Sequence, residues 1–458
     1  MSAIQISDPV PAAPGEPGID VGAVLDGARF GGLQLLVLAF TFVTLVMDGF
    51  DIQAIAFAAP ALTAQWGIER SALGPVLASA LLGMALGAAL IGQYGDRRGR
   101  RSALVVSCAL MAVGSMSSAL ATGPIELGLF RFVTGVGMGG AMPNSTALMF
   151  EFAPLLWRQV ATSIALVGVP LGGMLGAALA RALVPEIGWR ALFVVGAVIP
   201  GALAAVMWRL LPESPRYLST RPERAEELSR LLNRISGSNI AGTASRFVGG
   251  VTAASGSTVG AIFERALRTD TLILWVIFFS NVFSIYFFFN WLPTVLSAAN
   301  LDFAVAVSGS LYFNLGGVVG SLAASALVSR YGSRLVLGVT AAAAVASVVA
   351  IAFNGVFGDG SADVAGLMAV MAMAGACVNA VQIGMFSVAA NVYPTPCRST
   401  GVGWSLAVAR FGGIVSSFAG AAFFSMGMQP RQFFLFIAGM LAVTFVGVTV
   451  LRRHIRPA

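Results

Sequence analysis

Read from the N-terminus, the chain alternates long apolar runs with short polar breaks. Twelve runs stand out, at 33–62, 72–94, 102–122, 126–150, 160–184 and 190–211, then 271–296, 305–328, 335–357, 364–390, 400–427 and 431–451. We number them spans 1 to 12. Each holds about 20 residues or more, enough to cross a bilayer as a helix. The one long polar interval, 212–270, carries the amphipathic stretch PERAEELSRLLNRI followed by a Gly/Ser/Ala linker. The pattern predicts an all-α membrane protein of two six-helix halves, 33–211 and 271–451, joined by a helix-bearing loop at 212–270. Residues 1–32 are rich in Pro, Gly and acids and predict a disordered tail without a signal peptide; 452–458 form a short second tail.

Composition agrees. Of 458 residues, 57% are hydrophobic and 10% charged, where a soluble domain averages about 25% charged. The net charge of +7 comes from arginine alone, since lysine is absent. The arginines cluster between spans, which fits a positive-inside bias rather than a nucleic-acid surface. With the 212–270 loop and both termini on the cytoplasmic side, only Arg70, Arg181, Arg190 and Arg431 fall outside. The acidic N-terminal tail runs against this bias, although acids weigh little in it. Cys108, Cys377 and Cys397 show no metal-ligand spacing and read as structural or incidental thiols. Neither a metal cluster, a nucleophile elbow nor a phosphate loop is present, so no enzyme is predicted, and no metal or cofactor.

The halves repeat. At an offset of 233 residues Pro60 falls on Pro293, Gly83 on Gly316, Gly87 on Gly320, Arg97 on Arg330, Gly99 on Gly332 and Arg101 on Arg334. At an offset of 240, Pro154 and Arg158 meet Pro394 and Arg398. Two halves in the same order form a parallel repeat, the organisation of the major facilitator fold.

Against this apolar background a few polar residues stand out. Asp48 and Asp51 lie about 60° apart on one helix face near the middle of span 1, where an acid costs roughly 2.5–3.5 kcal/mol on insertion scales. Their repeat equivalents are Asn281 and Ser284, so the fold does not demand the acids. Span 4, RFVTGVGMGGAMPNSTALMFE, runs from Arg131 to Glu151. Its glycines permit close helix approach. Arg131 reads either as a snorkelling anchor or as a cavity-facing cation; Glu151 reads either as a cytoplasmic partner of Arg158 or as a coupling acid. In span 11, Arg410 lies about a dozen residues beyond Arg398, too deep for easy snorkelling, and needs an anionic partner. A forked guanidinium suits a substrate carboxylate. Span 7 concentrates aromatics, and Phe283, Tyr286, Phe287 and Asn290 follow helical spacing; a ring-bearing substrate would sit well between such faces. Some of these rings face lipid instead. Gln382 and Trp404 add polar or amphipathic groups in the second half. The loop GQYGDRRGRR after span 2 combines Gly92, Asp96, Arg97, Gly99 and Arg100, which suits a gate of breakable ion pairs as well as a basic anchor; Arg158 and Arg398 join it on the same side.

These residues together resemble the aromatic acid:proton symporter family of the major facilitator superfamily, over about residues 30–452. The superfamily motifs are GQYGDRRGRR, LPESPRYL (Leu211–Leu218) and YPTPCRSTGVGW (Tyr393–Trp404). The branch motifs are DGFDIQAIAFAAPAL, RFVTGVGMGGAMPN and ARFGG. The resemblance implies uptake of a hydroxybenzoate, protocatechuate, gentisate or vanillate type of carboxylate with protons, driven by the proton gradient, by a monomer in the bacterial inner membrane. It also implies that both span 1 aspartates are required, and that Asp96, Arg131, Glu151 and Arg410 matter. Family members can carry Asp and His after span 8, where this chain reads SRYGSR; its single histidine is His454, so coupling must run through carboxylates. Other readings stay open. Muconate or quinate are alternative cargoes. GVPLGG (Gly168–Gly173) partly resembles an antiporter motif and would suit a proton-driven exporter. A membrane sensor of aromatic acids is the third.

Overall fold

A computed structural model describes residues 18–238, 247–248, 259–265, 267–357, 363–394 and 397–455. In a bilayer every backbone amide must be satisfied within the chain, so apolar runs of this length become helices. They do so at Gly32–Trp66, Leu73–Arg98, Arg100–Leu120, Pro124–Phe152, Arg158–Ile187 and Arg190–Leu210, then Arg268–Ala298, Phe303–Tyr331, Ser333–Ala352, Val364–Val392, Arg398–Ser425 and Pro430–Val450. These are spans 1 to 12. Eleven of them are long and apolar enough to cross a membrane on hydropathy alone. Span 4 has the length, at 29 residues; Arg131, Asn144 and its many glycines make it more polar, and it lies inside the bundle.

The two sets of six pack alike. Span 2 lies on span 4, span 1 on span 5, and span 3 on spans 4 and 6; correspondingly span 8 lies on 10, 7 on 11, and 9 on 10 and 12. Between spans 1 and 5 the backbones touch. A Cβ on Gly49 would stand 1.9 Å from the Val169 carbonyl oxygen, and one on Gly172 1.9 Å from that of Val46. The glycines of GVPLGG are therefore accounted for by packing on the acid-bearing helix.

The sets meet along a seam of spans 1 with 7, 2 with 11 and 5 with 8. The side-chain contacts across it lie at mid-depth and towards one face. Gln53 and Asn314 exchange reciprocal amide hydrogen bonds of 3.1 and 2.8 Å. Arg181 reaches Ser308 at 3.5 Å, Gly74 abuts Ala421, and the Arg70 guanidinium lies 5.7 Å from the Phe424 ring centroid. Spans 4 and 10, whose ends meet the arginine-rich basic face, make no contact comparable with those of the seam. The side-chain contacts of the seam thus concentrate at mid-depth and towards the face opposite the basic one.

Beneath the first six helices, on the basic face, the helix Ala225–Ser236 buries Leu228, Leu231, Leu232 and Ile235. This is the amphipathic helix expected in the loop; most of the Gly/Ser/Ala linker after it lies outside the described residues. The N-terminal tail departs from expectation. Ile19–Asp20 pairs in parallel with Phe247–Val248, and Val21–Gly27 is helical. Asp20 caps this helix by accepting from the Gly22 and Ala23 amides. Val21 and Leu25 pack into the same cluster as Leu218 and Leu232, and Asp26 pairs with Arg158. Seven residues are too few for a periodic signal in so Gly/Pro-rich a setting, but they have an apolar surface waiting for them.

Candidate functional site

Asp48 and Asp51 both lie at the protein centre, almost wholly removed from solvent, yet their partners differ. Asp51 points into the first six helices. Its Oδ1 accepts from Ser115 Oγ of span 3 at 2.9 Å and lies 3.4 Å from Arg131 Nη1 of span 4. Arg131 Nη2 donates to the Asp51 carbonyl at 2.6 Å, and its guanidinium lies 5.7 Å from the Phe193 ring centroid of span 6. Arg131 is thus neither a snorkelling anchor nor an open cavity cation. It is the buried counter-ion of Asp51.

Asp48 sits at the seam instead. Its Oδ1 is buried with no hydrogen-bond partner, and no cation lies within ion-pair distance of it among the described residues. The charges it feels are those of Asp51 and, across the seam, of Arg410 in span 11. Arg410 Nη1 donates to the Met84 carbonyl of span 2 at 3.0 Å. That occupies one of its five N–H donors. Tyr286 of span 7 shares the neighbourhood, within electrostatic range of both Asp48 and Arg410 and packed on Gly413, one turn from Arg410.

The other span 7 residues go elsewhere. Phe283 stacks with Phe287 and meets Phe436 of span 12; Phe287 meets Phe423 and Phe433. These two rings build the second set of helices. Asn290 donates to Ser417 Oγ at 3.0 Å. Gln382 accepts from Asn281 at 2.8 Å, so the repeat equivalent of Asp48 is an amide pair whose Asn281 Oδ1 stays unsatisfied. Trp404 stacks on Trp275 at 6.1 Å, about two turns from the basic-face end of span 11 and away from the acids. Gln53, a full partner in the seam, carried no sequence signal, because one Gln in an apolar helix is unremarkable.

A second constellation occupies the basic face. Asp96 pairs with Arg100, whose Nη1 donates to Asn144 at 3.1 Å and whose Nε lies 3.7 Å from Glu151. Glu151 in turn accepts from Ser214 of the LPESPRYL segment. Glu151 therefore pairs with Arg100 and Ser214, whereas Arg158 goes to Asp26. Next door, Glu213 accepts from the Ser214 amide at 2.9 Å and the Arg101 amide at 3.1 Å. Burial pushes its carboxyl above the usual range, against the pull of those amides. Gly99, at φ 101°, is required here, since a Cβ would stand 2.2 Å from Glu213 Oε2. The Arg97 carbonyl accepts from Arg221. A Cβ on Gly92 would meet nothing. In the second set Arg398 Nε donates to the Tyr393 carbonyl at 3.3 Å.

Comparison with known proteins agrees with this fold. The family model described as Major Facilitator Superfamily matches residues 41–361. The gallate transporter of Pseudomonas putida is 33% identical over 91% of this chain and 91% of its own. The 4-hydroxybenzoate transporter PcaK of Pseudomonas aeruginosa is 34% identical, over 92% and 93%. The xylose transporter XylE from E. coli, in a partially occluded inward-open conformation, superposes with a TM-score of 0.70 at 17% identity, over 91% and 97%. The chain belongs to the Major Facilitator Superfamily: it is a multi-pass membrane transporter rather than an enzyme, in the branch that holds the gallate and 4-hydroxybenzoate transporters.

Proposed function

We propose that the chain imports an aromatic carboxylate together with protons, by alternating access between its two sets of six helices. The cargo class rests on relatives that carry gallate and 4-hydroxybenzoate, both hydroxylated aromatic acids. The coupling rests on one observation: Asp51 has its cation in Arg131, whereas Asp48 is buried at the seam without one, facing Arg410.

The physical sequence is short. A proton taken up by Asp48 removes the negative charge that competes for Arg410. The guanidinium then takes the cargo carboxylate through parallel N–H donors, and Tyr286 flanks the ring. The two sets rock about the seam. The arginine asymmetry makes the basic face cytoplasmic, with both chain ends inside the bacterial inner membrane. The arrangement closed on the opposite side is then the inward-facing one. There the proton leaves Asp48, whose restored charge draws on Arg410 and frees the anion. The Asp96–Arg100–Glu151 cluster ties the ends of spans 2 to 4 into one piece of the inner gate. The proton gradient supplies the drive to a single chain, and no cofactor takes part.

The test is uptake of labelled 4-hydroxybenzoate into proteoliposomes under an imposed pH gradient, with gallate, benzoate, muconate and quinate as competitors. Accumulation only with an acid exterior, and competition by the aromatic acids alone, is the expected result. Failure of every aromatic acid to compete contradicts the cargo class; accumulation without a gradient contradicts the coupling.

A further inference from the structure

Far from the central acids, at the basic end of the second set, a cleft of about 620 Å³ opens between the start of span 9 and the end of span 12. Its walls are Leu335, Gly338, Val339 and Thr449, and its basic-face end holds Arg334 and His454. The floor is built rather than incidental. The chain after span 12 is strapped to the start of span 9 by two hydrogen bonds, Ser333 N–H to the Ile455 carbonyl at 3.0 Å and Ile455 N–H to Ser333 Oγ at 2.8 Å. Ser333 Oγ also lies 3.1 Å from His454 Nδ1. That oxygen accepts from Ile455 and keeps both a hydrogen and a second lone pair for Nδ1, so the contact accommodates either ring tautomer. Nε2 is buried and has no partner.

Arg334 and His454 thus line one cleft, and among the described residues no acid lies at ion-pair distance from either. Arg334 makes no hydrogen bond, ion pair or ring contact among the described residues. The nearest acid, Asp270, is taken by Arg453 and the Arg452 amide. Burial and then the Arg334 charge hold the His454 imidazole below its ordinary value, against the pull of the Leu451 and Val448 backbone and of Asp270; a bound anion would relieve the Arg334 repulsion. The cleft continues past Arg334 along Leu335 and Val339, both more than half exposed on the bilayer-facing surface of span 9. A positive end at the membrane boundary with an apolar trough running into the bilayer matches a phosphate group carrying acyl chains.

We propose that this cleft binds the anionic headgroup of a phospholipid from the leaflet at the basic face, with Arg334 on the phosphate, the His454 imidazole beside it and an acyl chain along Leu335, Gly338 and Val339. The proposal is independent of the cargo and of proton coupling.

The test uses the full chain purified in detergent. Its melting temperature is followed on addition of dioleoylphosphatidylglycerol, dioleoylphosphatidylcholine or inorganic phosphate, since a ligand of the folded state stabilises it by mass action. Phosphatidylglycerol is expected to raise the melting temperature well above the phosphatidylcholine control, with no shift from inorganic phosphate. The shift is expected to vanish in the R334Q/H454Q double variant and to persist in R234Q, an exposed basic-face arginine elsewhere. G338L supplies a second variant that keeps both charges; its side chain would enter open space, since a Cβ there meets nothing within 4 Å, and it would fill the trough and abolish the shift. Equal shifts from the two lipids, a full shift retained in G338L, or the same shift from inorganic phosphate would each overturn the proposal.

Discussion

Asp48 and Asp51 are three residues apart on one helix and live in opposite circumstances. Asp51 turns into the first six helices, where Ser115 and Arg131 meet it. Asp48 turns to the seam, where nothing pairs with it and the facing cation belongs to the other set of helices. One acid is part of how the first half holds together. The other lies where the two halves meet. The second half sharpens the contrast: at the equivalent positions Asn281 is tied to Gln382, and Ser284 bonds its own helix.

The largest effect is expected where the buried ion pair is cut, although Asp51 Oδ2 and Arg131 Nε have no hydrogen-bond partner within it. Arg131→Gln leaves Asp51 buried without its cation, and removing one partner of a buried pair costs about 3–5 kcal/mol. Detergent unfolding measures this, and the double variant Asp51→Asn/Arg131→Gln should recover most of the loss. An Arg131→Gln protein as stable as the parent would erase the distinction between the two acids.

On the seam side, Arg410→Lys keeps the charge but loses the fork. Charge-assisted hydrogen bonds contribute about 1.5–3 kcal/mol, so KM for the acid should rise roughly 10- to 100-fold with the pH dependence of uptake unchanged. Gln53→Leu acts on the same seam without touching charge. It strands Asn314 Oδ1 whenever the opposite face is closed, while Nδ2 keeps the Ser310 carbonyl, at a cost of about 1–3 kcal/mol. The population should move towards the form open at that face, read as faster thiol labelling of a cysteine placed at Ser308. The smallest effect lies outside the membrane. Because burial raises the Glu213 carboxyl, the folded protein holds that proton more tightly than the unfolded chain does. Its stabilising contribution is complete below the ordinary glutamate range and is lost as pH rises through the raised value. Relative to the parent, Glu213→Gln should therefore show a flatter decline in unfolding free energy over that interval.

Much of this was legible in the chain. Helices under lipid need only length and apolarity, so the twelve spans and the internal repeat could be read directly, and acids or arginines within them interrupt the pattern at once. Which acid is paired could not be read. A rotation of about 60° between Asp48 and Asp51 decides whether a carboxylate meets span 4 or span 11, and that depends on packing between distant segments. For the same reason Arg131 carried two readings until its geometry favoured a third, and Phe283 and Phe287 looked like cavity residues although they pack on span 12. Ser115 and Gln53 are ordinary residues in ordinary helices; only their neighbours make them matter.

The most direct test of the central claim separates exchange from accumulation in Asp48→Asn. A permanently neutral side chain there mimics the protonated acid, so Arg410 stays free for cargo while no proton can be released. In proteoliposomes, Asp48→Asn should keep the exchange of labelled for unlabelled 4-hydroxybenzoate across the membrane and lose accumulation driven by an acid exterior. Gradient-driven accumulation at the parental level in Asp48→Asn would contradict the account.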